Sequence, residues 1–220
     1  MNDNTIDNYA TLLRRVAVWS AHLRLFHWIF ALSTALLILT GLYINNPPTT
    51  LTWSEHSPSY VMTYVRYVHF IAGFFFIAVL LIRIYLLFFG NEYERIKALL
   101  PLSKERVKSM FEEAKFDLYL SDKPKTSPGH TNFAGILYMV IFILAILMAI
   151  SGLGMLYPES TIFRVLTKIL FGSPQMARFI HYTFLWIFLS FICIHIYMAI
   201  WYDLRGSLSI TTAMITGYKT

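Results

Sequence analysis

The sequence predicts an all-α integral membrane protein, a four-helix bundle with both termini in the cytoplasm. Three observations carry that reading. Charged residues are only 14% of the chain and hydrophobic residues 57%, where a soluble domain is about 25% charged. Four segments reach the roughly 20 apolar residues that a helix needs to cross the hydrocarbon core. The polar pieces between them alternate in basic charge. The mean hydropathy of +0.57 agrees, and helices suit lipid because they satisfy their own backbone groups.

The expected spans are 25–44, 68–89, 133–157 and 179–202, within one domain over 1–220. The first and third carry no Asp, Glu, Lys or Arg, the second carries only Arg83, and the fourth is uncharged but holds two histidines. The N-terminal segment has Arg14, Arg15 and Arg24. The loop 90–132 has Arg95, Lys97, Lys104, Arg106, Lys108, Lys115, Lys123 and Lys125, and the tail has Arg205 and Lys219. The other side holds only Arg66, Arg164, Lys168 and Arg178. The positive-inside rule therefore assigns both termini and the loop 90–132 to the cytoplasm, and the loops 45–67 and 158–178 to the outside. The net charge of +6 is read as cytoplasmic loop charge rather than a nucleic-acid surface. The acidic, polar N-terminus lacks the basic-then-apolar order of a cleavable signal peptide. The first span is expected to act as the insertion signal.

Shorter elements are expected between the spans. Val107, Met110, Phe111, Ala114 and Leu118 follow helical spacing within 104–119, which suggests an amphipathic helix on the membrane surface. The stretch TIFRVLTKILFG, 161–172, reads as another. Asn46-Pro47-Pro48 and Ser173-Pro174 are turn signals.

Four of the seven histidines fall in or at the edge of spans. Ionisable groups in a membrane are costly and usually functional. A lone histidine there also has a bland reading, a neutral imidazole bonded across helices. The depths make a pattern of the four. His27 is near the cytoplasmic start of the first span, while His69 and His181 are near the outer starts of the second and fourth. His195 is 14 residues beyond His181, about 21 Å along the helix and some 40° short of four full turns, hence on the same face. His69 and His181 then share an outer level, and His27 and His195 an inner one. Two imidazoles from different helices suit a planar porphyrin, one on each face of a b-type haem. The single cysteine, Cys193, excludes an internal disulfide and a Cys-x-x-Cys-His attachment site, so haem would be held without a covalent link. Zinc is the rival use of histidine, but these four separate into distant pairs and no Asp or Glu joins them in the spans.

Arg24, Arg66 and Arg178 each stand three residues before a proposed ligand, in RLFH, RYVH and RFIH. That offset puts an arginine on the histidine's face, one turn nearer the interface, where it can pair with a haem propionate or simply snorkel. Gly73, one turn after His69, suits either close approach of a porphyrin or helix packing. His130, in SPGHTNF, is at the level for proton supply or quinone contact, or is a loop residue. His22 is expected at the interface and His56 in an exposed outer loop. No nucleotide loop, catalytic triad or carboxylate pair is found.

The stretches HLRLFHW, RYVHFIAGFFFIAVLLIRIYLLFFGNEYER, GHTNFAG, IHYTFLWIFLSFICIHIYMAI and TAMITGYK resemble the cytochrome b subunits of membrane-bound Ni/Fe-hydrogenases over nearly the whole chain. The broader diheme pattern is shared with formate dehydrogenase gamma and thiosulfate reductase subunits; the second-span motif and the tail favour hydrogenase. The resemblance implies His27, His69, His181 and His195 as axial ligands of two haem b groups. It implies as partners a small subunit with iron–sulfur clusters and a C-terminal membrane helix, and a large subunit with the Ni/Fe centre. It implies a bacterial inner-membrane location with those partners on the periplasmic face. Electrons from hydrogen would pass through both haems to menaquinone or ubiquinone. By position, Met198, His130 and Asn132 are the expected quinone contacts. The chain itself would hold no hydrogenase centre. A non-haem anchor or small transporter is the reading from a different class.

Overall fold

The computed structural model describes residues 16–47, 58–121, 129–206 and 210–219. The expected outer-loop His56, the turn residue Pro48, and the charges Arg14, Arg15, Lys123 and Lys125 lie outside them. In chain order the elements are β1 Val16–Ala17, α1 Ala21–Asn45, α2 Pro58–Phe89, α3 Ile96–Leu99 and α4 Lys104–Asp117, followed by α5 Asn132–Leu156, α6 Thr161–Phe171, α7 Pro174–Gly206, α8 Ile210–Thr216 and β2 Tyr218–Lys219. Helices α1, α2, α5 and α7 are long and apolar enough to cross a bilayer.

All four expected spans lie in helices, and three run longer than hydropathy suggested, α2 and α7 the most. Helix α2 begins at Pro58 rather than Val68 and has 32 residues, about 48 Å at 1.5 Å per residue. Its extra turns expose Tyr60, Tyr64 and Tyr67, the amphipathic rings that favour a membrane interface. Helix α7 has 33 residues.

Contacts divide the chain into two compact units. One is Met1–Leu25, Tyr85–Met139 and Ile194–Thr220; the other is Phe26–Ile84 and Val140–Cys193. The second unit is a four-helix arrangement around Ile38 of α1, Phe76 and Leu80 of α2, Ala145 of α5, and Leu185 and Phe188 of α7. Helix α6 lies on α5 where Gly154 leaves room: a Cβ there would collide with the Thr167 hydroxyl. The expected surface helix is thus α6, closed by Gly172 at φ 79°, a left-handed conformation that glycine adopts at helix ends. Ile162, Val165 and Ile169 are exposed on it while Thr167 and Phe171 are buried.

The first unit is held by polar contacts. β1 and β2 pair antiparallel, Val16 with Lys219 and Ala17 with Tyr218. Val18 and Trp19 both donate their N–H to Gly217 O, at 2.9 and 3.1 Å. Gly217 has φ 91°, and a Cβ on it would lie 2.9 Å from Trp19 O. The GNEYER stretch grips the same segment. Glu94, only 1% exposed, accepts from Ser20 N at 2.8 Å and Asn91 N at 3.2 Å. Asn91 Nδ2 donates to Val18 O at 2.9 Å, and Arg95 Nε donates to Gly90 O at 2.7 Å.

Helix α4 follows the expected amphipathic pattern, with its apolar stripe outward. Val107, Phe111 and Leu118 are exposed, and Glu113 and Phe116 are buried. The buried carboxylate has a reason. Glu113 accepts from Phe133 N at 2.9 Å and Asn132 Nδ2 at 3.1 Å, so a negative charge sits on the N-terminus of α5, where amides need acceptors. One turn on, Asp117 accepts from the Tyr202 hydroxyl at 2.5 Å. Burial raises the Asp117 carboxyl above its ordinary range, against the lowering effect of the Tyr202 bond and with a further upward push from Glu113.

A pH dependence follows. A carboxyl whose folded pKa is raised contributes stability below its unfolded pKa of about 3.9, and that contribution is lost as pH rises through the folded value. Asp117→Asn keeps an oxygen for Tyr202 but cannot ionise. Thermal unfolding in detergent from pH 4 to 8 should show the wild type losing stability relative to this variant as pH rises. Parallel profiles would contradict the assignment.

Candidate functional site

The second unit encloses a cavity of about 660 Å³ among α1, α2, α5 and α7, within the range of cofactor sites. Its walls are mostly apolar: Leu37 and Ile38 from α1, Phe76 from α2, Met148 from α5, and Leu185 and Phe188 from α7. Four basic or titratable side chains break that surface. His69 and Arg66 come from α2, and His181 and Arg178 from α7. The expected outer pair therefore lines one space.

Both arginines are exposed yet line that cavity with the histidines three residues on. Each helix thus presents a ligand-type nitrogen with a cation one turn away. The donor set fits a haem: two imidazoles from opposing helices for the iron, and two guanidinium groups for propionates.

Glycines clear the space. A Cβ at Gly41 would lie 3.2 Å from Leu185 Cδ1 and 3.6 Å from His69 Cε1. A Cβ at Gly152 would lie 3.3 Å from His181 Cε1. The expected Gly73 also lines the cavity, but a Cβ there meets nothing nearer than Leu37 at 4.0 Å. Gly152 is thus the glycine tight against a histidine ring, while a Cβ at Gly41 would press on Leu185 and meet the His69 ring at ordinary contact distance.

Hydroxyls next to the imidazoles were also missed. Thr40 Oγ1 is 2.7 Å from His69 Nδ1, and Ser151 Oγ is 2.8 Å from His181 Nδ1. The signal available was a polar residue inside an apolar span.

The other candidates fall elsewhere. His27 is half-buried in the second unit, its ring edge-on to Trp28. In the first unit, Tyr138 Oη is 3.3 Å from His195 Nδ1. His130 is half-buried, its ring 4.5 Å from Trp19 and 4.7 Å from Tyr138 between centroids. It lines a smaller polar cavity of about 290 Å³ with Tyr93, Arg106, Gly129 and Asn132. The Asn132 amide is engaged on both sides, by Arg106 Nε at 2.8 Å and by Glu113. Met198 is half-buried and His22 exposed. Arg24 donates to the carbonyl of Ile215. That engages one of its amino groups with the tail, so the three-residue arginine offset does not mean the same thing at each site. Among the described residues no cluster of three His, Cys, Asp or Glu offers a zinc-type site.

Four bilayer-length helices with two histidines on one apolar cavity suit a membrane haem protein. Residues 18–217 match the model of the prokaryotic cytochrome b561 family, and the chain belongs to that family. It is an integral membrane b-type cytochrome, and haem b is its cofactor. It is similar to the probable Ni/Fe-hydrogenase B-type cytochrome subunit of Cupriavidus necator, 28% identical over 94% of this chain and 88% of that one. The probable subunits of the same name from Azotobacter chroococcum and Rhizobium leguminosarum bv. viciae are each 32% identical, over 93% of this chain and 88% of theirs.

The cavity makes a direct prediction. Gly152→Val puts a branched side chain against the His181 ring, so the purified variant should carry less haem per protein at unchanged membrane insertion. A full haem complement in Gly152→Val would show that the cavity is not the binding site.

Proposed function

We propose that this chain is the diheme cytochrome b subunit of a membrane-bound Ni/Fe-hydrogenase, anchoring the complex and passing electrons from hydrogen oxidation to quinone. The observation that carries the reading is the cavity that joins His69, His181, Arg66 and Arg178. The names of the relatives support hydrogenase as the partner, in preference to formate dehydrogenase or thiosulfate reductase.

His69 and His181 are assigned as the axial pair of the outer haem, with Arg66 and Arg178 on its propionates. His27 and His195 are assigned as the inner pair. The assignment of two levels rests on the 14-residue spacing of His181 and His195 in the sequence, a rise of about 21 Å for a helix. Bound haem supplies one-electron redox chemistry. The chain's own work is to space the two sites, dress them in apolar side chains and hold the ligands.

The basic residues of the middle loop put that loop and both termini in the cytoplasm by the positive-inside rule. The outer cavity then faces the periplasm, where the iron–sulfur small subunit and the Ni/Fe large subunit would dock, and the small subunit's membrane helix would lie beside this chain. Quinone, menaquinone or ubiquinone, is assigned to the inner side in a bacterial inner membrane. His130, on the smaller polar cavity, is assigned as a quinone contact, and its ring packs on Tyr138, whose hydroxyl is 3.3 Å from His195 Nδ1. Met198, one turn past His195, is a further contact. Asn132 shapes that cavity through its bonds to Arg106 and Glu113.

The test is a haem-to-protein ratio on the complex with each of the four histidines changed to alanine. Wild type should carry two haems on this subunit. His69→Ala and His181→Ala should remove one and the same spectral component, and His27→Ala and His195→Ala the other. Any other grouping would falsify the ligand assignment. Co-purification with a molybdenum protein in place of a Ni/Fe protein would overturn the choice of partner.

A further inference from the structure

Each histidine on the large cavity is met by the same two-residue device from a helix other than its own. Thr40-Gly41 on α1 meets His69 of α2, and Ser151-Gly152 on α5 meets His181 of α7. In both pairs the hydroxyl lies at the ring's Nδ1. In both, the glycine that follows lies against the ring's Cε1, at 3.6 and 3.3 Å from where a Cβ would stand. The surrounding sequences, LTGL at 39–42 and ISGL at 150–153, repeat the pattern at two unrelated places in the chain.

The hydroxyl geometry also fixes a proton. Thr40 Oγ1 is 2.6 Å from Leu36 O on its own helix, and Ser151 Oγ is 2.9 Å from Met148 O. A carbonyl oxygen can only accept, so the one hydroxyl proton goes to the carbonyl. The hydroxyl oxygen is then the acceptor towards the imidazole, and Nδ1 must carry the ring proton. A neutral imidazole has a single N–H, so Nε2 keeps its lone pair. That is the tautomer an iron requires of a ligand bound through Nε2, and a partner on the other nitrogen also sets the ring's rotation.

We propose that Thr40 and Ser151 are positioning residues. Each locks its histidine in the Nδ1–H tautomer, and at His181 the adjacent Gly152 gives the ring the room to hold that rotation. The inference rests on the assignment of His69 and His181 to one haem. As the acceptor of that bond, the hydroxyl oxygen pushes electron density towards the ring. A hydrogen bond from Nδ1–H raises the basicity of the ligating nitrogen and favours the ferric state. Removing it should raise the potential of that haem and leave the other unchanged.

The experiment is a redox titration of the purified complex carrying Thr40→Val or Ser151→Ala, with the electron paramagnetic resonance spectrum of the oxidised form. The expected result is an upward shift of one haem's potential, with altered low-spin g values for that haem alone. Thr40→Ser and Ser151→Thr, which keep the hydroxyl, should restore both readouts. If Thr40→Val and Ser151→Ala bind both haems at wild-type potentials, the proposal is overturned. It is also overturned if the hydroxyl-keeping variants behave like the hydroxyl-free ones, because shape would then be the cause. Wild type lacking a bis-histidine haem at His69 and His181 would sink the underlying assignment instead, which separates the two failures.

Discussion

An imidazole inside a membrane bundle needs a partner for every polar atom, and this constraint organises the second unit. Hydrocarbon offers none, and a polar group left bare there costs several kcal/mol. At His69 and His181 the need is met on one nitrogen by a hydroxyl from the neighbouring helix. On the proposed assignment the other nitrogen is the one that would hold the haem iron. The same contacts cross-link α1 to α2 and α5 to α7, so holding the ligand and holding the bundle are one arrangement. Leu185 and Phe188 line the cavity and also belong to the apolar core, so cavity shape and core packing are equally inseparable.

The first unit answers a different demand. Beside buried apolar side chains such as Val18, Leu23 and Leu99, two buried carboxylates tie its segments together. Glu94 clamps the turn before α1, and Glu113 sits on the start of α5. The two stretches that most strongly suggested a hydrogenase cytochrome, GNEYER and TGYK, grip the same short segment, Val18 to Ser20. Their residues explain themselves as a clasp. Gly90 is needed because a Cβ would lie 2.5 Å from Leu86 O, and Gly217 because of its positive φ. Their value as a family signature is therefore structural.

The spans were legible in the sequence because lipid dictates composition, and the four histidines were legible because such residues are rare there. What escaped was whatever depended on a neighbour. The first turns of α2 contain Tyr60, Thr63, Tyr64 and Arg66, which lower hydropathy without breaking a helix. The inward face of α4 was hidden because Glu113 is buried by capping a helix that starts at Asn132. Two-residue strands carry no periodicity. Thr40 and Ser151 bond back to their own helices, as such hydroxyls commonly do. Their second bond appears only once another helix is beside them. The Arg24 contact with the tail was equally out of reach, since it joins residues 191 positions apart.

The family match and the cavity converge on a b-type cytochrome from independent directions, one from the whole chain and one from a handful of side chains. The central claim is that histidines from two helices close on the same iron. Near-infrared magnetic circular dichroism of the oxidised complex reads axial ligands directly. The account predicts a bis-imidazole signature for every haem on this subunit. A histidine–methionine or single-imidazole signature for the outer haem would contradict it.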